Sequence, residues 1–279
     1  MPLIPKSFAA LAATLALMAA PTPSAAQIDL PADEAGAKGR LDASPRHGEW
    51  VKYHAGSGDS VTAWVVYPER PDPAPVVIVI HEIYGLTDWM RGVADQLAAE
   101  GFVAVAPDLL SGKGPDGGGS ESVDRQGAVR RIRGLENDEV ARRLEAGAIY
   151  GTSLPAATSR VGSIGFCWGG RRSFDLATTF PDLEAAVVYY GSSPGPEALA
   201  GVNARVLGNY GGDDARVNAD IAPTSQAMLS LGKSYEAITY DGAGHGFLRA
   251  QQERNGANLR ASQEAWARTV SFLQETLED

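Results

Sequence analysis

The sequence predicts an α/β domain with a mostly parallel central sheet and helices on both faces. Three observations lead there. Val76-Val-Ile-Val-Ile80 is a continuous apolar run of strand length, as expected for a strand covered on both faces of a parallel sheet. Five further strand-like runs follow it, separated by stretches of helical periodicity, and that alternation implies right-handed crossovers. Once an N-terminal segment is set aside, about 253 residues remain, which one large α/β domain can absorb. No internal repeat is visible.

In chain order, Lys6 supplies a short positive region and Phe8–Ala20 (FAALAATLALMAA) an apolar run of 13 residues. Pro21–Gln27 then offers the small residues Ser24 and Ala26. This predicts a signal peptide over residues 1–26, cleaved near Ala26, and export to the periplasm or beyond. The run is short of the roughly 20 apolar residues that span a bilayer, and prolines follow it, which argues against a retained anchor. Residues 27–48 mix Pro, Gly, Asp and Ala without periodicity and read as an N-terminal arm. The domain itself is expected over residues 49–279.

Trp50–His54 and Val61–Tyr67 flank Gly56-Ser-Gly-Asp59 and predict a hairpin. The VVIVI strand comes next. Asp88–Glu100 carries Trp89, Val93, Leu97 and Ala98 at helical spacing, Gly101 ends it, and Phe102–Ala106 is the following strand. Leu109–Ser122 is a glycine-rich loop without an apolar period. Lys113 lacks the Gly-Lys-Ser/Thr context of a phosphate loop. Helices are expected over Val123–Arg133 and Asn137–Tyr150, and strands over Val161–Gly165, Ala185–Tyr190, Arg205–Tyr210 and Ser234–Tyr240. A helix over Asn258–Leu277 closes the chain.

The net charge of −10 argues against a nucleic-acid or anionic-membrane surface, either of which calls for clustered Lys and Arg. A single cysteine excludes an intramolecular disulfide, and a free thiol in an exported protein is open to oxidation. By count alone such a cysteine reads as a small buried apolar residue. Its neighbourhood points elsewhere.

Strand Val161–Gly165 runs into Gly165-Phe-Cys-Trp-Gly169, with a helix directly after. This is a Gly-x-nucleophile-x-Gly elbow with cysteine as nucleophile. The flanking glycines leave room for a strained turn, which lifts the side chain above the strand's carboxyl end. A thiolate needs a base. Of His47, His54, His81 and His245, the last lies in a Gly-rich loop (Asp241-Gly-Ala-Gly-His-Gly-Phe247) just after a strand, on the same rim as Cys167. The third partner should lie between them and also follow a strand. Gly211-Gly-Asp-Asp214 offers Asp213 and Asp214, which spacing does not separate; either would fix the histidine tautomer.

Val79-Ile-His-Glu-Ile-Tyr-Gly-Leu86, Phe102-Val-Ala-Val-Ala-Pro-Asp-Leu109, Gly165-Phe-Cys-Trp-Gly-Gly170 and Gly242-Ala-Gly-His-Gly-Phe247 resemble the dienelactone hydrolases (carboxymethylenebutenolidases) over roughly residues 51–277. The resemblance implies the α/β-hydrolase fold and a Cys-His-Asp triad, with Asp214 as the acid because that family's acid follows two glycines and one further residue. It implies that Glu82 interacts with the resting cysteine and releases it when substrate binds. It further implies an oxyanion hole from the main-chain N–H groups of Ile83 and Trp168, and contact of Arg249 with the substrate carboxylate. A second substrate-binding arginine is left open among Arg125, Arg130, Arg131 and Arg133. Arg171 and Arg172 stand where small or apolar residues are commoner, and pairing or snorkelling at the helix surface is expected of them.

The expected function is therefore a carboxylic ester hydrolase that cleaves a small ester or lactone through an acyl-thioester, as a monomer without metal or organic cofactor. A broad esterase or thioesterase on the same triad is one alternative. A secreted binding protein that keeps the fold without turnover is the other.

Overall fold

The computed structural model describes residues 1, 29–56 and 58–278. Apart from Met1, the signal peptide expected at 1–26 lies outside the described residues. The strands are β1 (Gly48–His54), β2 (Ser60–Val66), β3 (Ala74–Ile80), β4 (Val103–Pro107), β5 (Ala157–Phe166), β6 (Ala185–Tyr189), β7 (Arg205–Gly211) and β8 (Tyr235–Tyr240). The helices are α1 (Ala37–Asp42), α2 (Asp88–Ala99), α3 (Arg125–Ile132), α4 (Asn137–Thr152), α5 (Trp168–Thr179), α6 (Ala215–Asn218), α7 (Ile221–Ser230) and α8 (Ala257–Leu277).

All eight strands join one sheet in the order β1-β2-β4-β3-β5-β6-β7-β8. The six from β4 to β8 along that order pair in parallel, and the β1–β2 hairpin attaches antiparallel to β4. The α/β-hydrolase fold expected from the sequence is the fold observed.

Side-chain alternation explains the layers. Along β3, Val77 and Val79 face one core with α2 and α8, while Val76, Ile78 and Ile80 face the other with α4, α5 and α7. Every residue of β3 is buried, so the strand reads as an unbroken apolar run. Trp89 of α2 and Trp266 of α8 anchor the first core, and Phe174 of α5 the second. Burying a side chain of this kind contributes about 2–3 kcal/mol. Helix starts follow local chemistry: the Thr87 hydroxyl accepts from Met90 N at α2, and the Asp124 carboxylate accepts from Gly127 N at α3.

Residues 29–48, read as an arm, carry α1 and dock against the domain. Ala37 is buried on α2. Trp89 Nε1 donates to Ala32 O (3.1 Å), Gln251 Nε2 to Pro31 O (2.9 Å), and Arg46 pairs with Asp95 (2.5 Å).

The chain order reverses direction around β3: β4 lies on one side of it and β5 on the other. The carboxyl ends of β3 and β5 therefore border the crevice where open α/β sheets hold ligands. The β5–α5 turn is packed backbone on backbone. A Cβ on Gly165 would lie 2.0 Å from Gly169 O, and one on Gly169 would lie 2.4 Å from both Ile80 O and His81 O. Gly165→Ala should therefore cost about 3 kcal/mol through forced backbone displacement. Gly39→Ala, in α1 with nothing within 4 Å of the added carbon, should be neutral or stabilise by up to about 1 kcal/mol. Urea unfolding midpoints of the two variants check this; equal shifts would refute the steric account.

Candidate active site

Cys167 sits between β5 and α5 at φ 57, ψ −114, a backbone conformation that residues with side chains rarely adopt. Its N–H donates to Tyr189 O at 3.0 Å, and its carbonyl accepts from Arg171 N at 3.3 Å to start α5. The half-buried thiol thus stands at the helix N-terminus, where partial positive charge favours thiolate. Opposing influences prevail. Burial and then the charge of Glu82 push the thiol up to about 11, against the pull of Trp168 N–H, Arg216 and Arg249. Cys167 therefore rests as a thiol.

His245 lies in the loop after β8, with about a third of its side chain exposed, and its Nδ1 is 2.5 Å from Asp214 Oδ2. Of the two aspartates after β7, Asp214 is the one that reaches the imidazole. Asp213 instead accepts from Arg254 Nη1 at 2.6 Å on the surface. The two loops are tied together by Asp213 N donating to Ala243 O (2.9 Å), and Gly244 N donates to Asn258 Oδ1 (3.0 Å).

Glu82 follows β3 and is buried. Burial pushes its carboxyl up to about 7 against the opposing pull of Arg249. Its direct partner is Arg249, whose Nε lies 2.9 Å from Oε2. That nitrogen has no aligned acceptor, so the contact is an ion pair without a directed hydrogen bond. His81 beside it is buried, which drives its pKa down. Its Nε2 accepts from Leu109 N at 3.2 Å, which leaves Nδ1 to donate to Glu82 O at 2.8 Å, and its ring stacks on Trp168. His81 is thus a neutral structural residue. His47 stacks on Tyr67.

Ile83 and Trp168 pack on the same small cluster, Leu110, Ala128 and Ile132, so their segments flank one crevice. Arg249 is not free: besides Glu82 it donates through Nη1 to Glu34 Oε2 at 2.6 Å. Of the four arginines left open by the sequence, Arg125 joins this group. It donates to Glu34 Oε1 at 2.6 Å and lies 3.5 Å over the Tyr84 ring. Arg131 donates to Lys113 O instead, and Arg130 and Arg133 are exposed. Arg171 and Arg172 both pair with Asp175, as their surface position led one to expect.

Three neighbours of the site escaped the sequence reading. Glu34 lies in an aperiodic segment, and Tyr84 had no motif role. Tyr190 follows β6 at φ 41, with its ring 5.1 Å from His245 and its buried hydroxyl without a partner among the described residues. A positive φ at a tyrosine leaves no trace in sequence. A cavity of about 1280 Å³ lies under the glycine-rich loop and is lined by Asp59, Asp108, Lys113 and Arg143 among others. It includes none of Cys167, His245, Asp214 or Glu82. Chemistry, not volume, singles out the rim.

Comparison with known proteins agrees with this geometry at the level of the family. The profile of the dienelactone hydrolase family matches residues 61–277. A protein of Escherichia coli K12 provisionally named carboxymethylenebutenolidase is 30% identical over 231 residues, 78% of this chain and 83% of its own. A namesake from Saccharolobus solfataricus is 29% identical over 253 residues, 80% of this chain and 96% of its own. A crystal structure from Klebsiella pneumoniae, provisionally assigned as a dienelactone hydrolase, superposes with a TM-score of 0.71 at 25% identity, covering 81% of this chain and 98% of that one. The chain belongs to the dienelactone hydrolase family.

Proposed function

We propose that this protein is a carboxylic ester hydrolase acting on small esters or lactones, with Cys167 as nucleophile, His245 as base and Asp214 as the acid that orients it. The observation that carries the reading is the 2.5 Å contact between His245 Nδ1 and Asp214. It fixes the tautomer and leaves Nε2 as the proton acceptor. The positive-φ turn that presents Cys167 on the same rim supports it.

In this scheme His245 takes the Sγ proton as sulfur attacks the carbonyl carbon. The tetrahedral oxyanion is held by the N–H groups of Ile83 and Trp168. The C–O bond then breaks, and the proton on His245 goes to the departing alkoxide or enolate, leaving an acyl-thioester. His245 next removes a proton from water, hydroxide adds to the thioester carbon, and collapse returns Cys167 and a carboxylic acid. Ester and water become acid and alcohol. The high pKa of the resting thiol means that proton removal accompanies attack, so the base matters as much as the sulfur.

His245→Ala should lower kcat for p-nitrophenyl acetate by at least about 10³-fold while far-UV circular dichroism stays unchanged. Activity within tenfold of wild type would eliminate His245 as base. Cys167→Ser should likewise fall to near background. A panel of lactones and short-chain esters identifies the preferred acyl group.

Glu82 gives a second test. Glu82→Gln removes a negative charge that raises the thiol, so alkylation of Cys167 by iodoacetamide at pH 8 should accelerate several-fold, at roughly tenfold per unit of thiol pKa. An unchanged or slower rate would show that the Glu82 charge does not act on sulfur. The same variant reports on stability. Folded Glu82 keeps its proton up to about 7, whereas the unfolded carboxyl releases it near 4.5, so wild-type stability falls as pH rises through that window. The loss above it is of the order of 3 kcal/mol. Glu82→Gln should melt higher than wild type at pH 8, with the gap closing by pH 4.5.

A further inference from the structure

Glu34 is the only carboxylate of the N-terminal arm that reaches the site among the contacts of the described residues, and its placement is unusual. Its Oε1 accepts from Arg125 Nη1 and its Oε2 from Arg249 Nη1, both at 2.6 Å. These partners lie 91 and 215 positions away in the chain. Two guanidinium groups converging on the two oxygens of one carboxylate is the chemistry by which proteins bind a carboxylate ligand. Here the chain supplies that carboxylate itself. Tyr84 completes the enclosure, with Arg125 3.5 Å and Arg249 5.6 Å from its ring centroid.

The cluster adjoins the reacting atoms through Glu82, which pairs with Arg249 and whose charge acts on Cys167. Two arginines face two carboxylates, so with Glu82 ionised the group has no net charge to attract an anion. An entering carboxylate would have to displace Glu34. The arm resists displacement: Glu34 N donates to Arg249 O at 3.0 Å, Pro31 and Ala32 carbonyls accept from Gln251 and Trp89, and Ala37 is buried on α2.

We infer that Glu34 is a specificity-determining residue: by occupying Arg125 and Arg249 it closes the site's carboxylate-binding fork and restricts the enzyme to acyl groups without a carboxylate. This rests on the hydrolase reading for its substrate terms and on the ion-pair geometry for its mechanism. Glu34 acts through the arginines and is a positioning residue in the strict sense. It governs which acyl groups enter, with no part in bond making.

The test pairs two activated esters with one leaving group and similar acyl length, p-nitrophenyl butyrate and mono-p-nitrophenyl succinate. Wild type should prefer the butyrate at least tenfold in kcat/KM. Glu34→Gln, which keeps the side-chain shape and removes the charge, should move that ratio at least tenfold toward the succinate ester, chiefly through its KM. Glu34→Asp, charged but shorter, should fall between them. A merely structural role for Glu34 would lower both esters together and leave the ratio in place.

A readout without turnover separates the two readings. Glutarate at 10 mM should slow iodoacetamide labelling of Cys167 in Glu34→Gln and leave wild type unaffected. If neither ester is hydrolysed but glutarate protects only the variant, the hydrolase reading falls and the role of Glu34 stands. If both esters are hydrolysed at a ratio unchanged by Glu34→Gln, or wild type already prefers the succinate ester, the role of Glu34 falls and the hydrolase reading stands. The wild-type ratio needs no variant, so the inference stays falsifiable even where a variant fails to fold.

Discussion

Cys167 is held in a backbone conformation that costs about 1–3 kcal/mol, and the rest of the site takes its geometry from the packing that imposes it. The strain persists because α5 lies directly on the ends of three strands with no side chains between. Gly165 meets the Gly169 carbonyl, Gly169 the Ile80 and His81 carbonyls, and Gly170 the Tyr189 carbonyl, each closer than a Cβ would allow. The sulfur is positioned by main chain, so its own side-chain contacts need not hold it. The same packing brings Trp168 N–H to the sulfur and sets Glu82, two residues beyond β3, beside it. A cysteine in a relaxed turn would share none of these neighbours.

Electrostatics then decides the state in which that sulfur waits. The helix N-terminus favours thiolate, but burial and the Glu82 charge outweigh it, and the thiol is held near 11. For a lone cysteine this has a chemical advantage, since oxidation follows thiolate content. Glu82 is itself poorly solvated: burial pushes its carboxyl up to about 7, and the charge of Arg249 favours its ionisation. The charge that restrains the cysteine thus depends on an arginine that also holds Glu34. The carboxylate that acts on the sulfur and the carboxylate of the arm share Arg249.

What could be read from the sequence follows from how local each cause is. β3 was legible because burial on both faces leaves a run of Val and Ile with no polar interruption. The elbow was legible because its steric demands fall on Gly165 and Gly169, within two residues of Cys167. Strand ends were less so: β5 begins at Ala157, four residues before the expected start, because Ala157 pairs with Ala74 at an irregular register that composition does not signal. Helix α7 left a faint pattern since only Thr224 and Met228 are buried along it. Asp213 and Asp214 are chemically alike, and only the path of the loop decides that one meets His245 and the other Arg254. Glu34 was out of reach, because an ion pair across 215 positions has no local signature.

The division between sheet and arm has a consequence for how such a site can diverge. Elements that place Cys167 (β3, β5 and α5) are locked by backbone contacts, so a change there disturbs the sulfur, the Trp168 N–H and Glu82 at once. The arm meets the site at Glu34, through its side chain and its N–H to Arg249 O, and its anchors at Pro31, Ala32 and Ala37 involve none of Cys167, His245 or Asp214. Charge at the rim can therefore be altered at a single position while Cys167, His245 and Asp214 stay where the sheet holds them. The Glu34 cluster and the Cys167–Glu82 neighbourhood are thus held by different elements, and they meet at the guanidinium of Arg249.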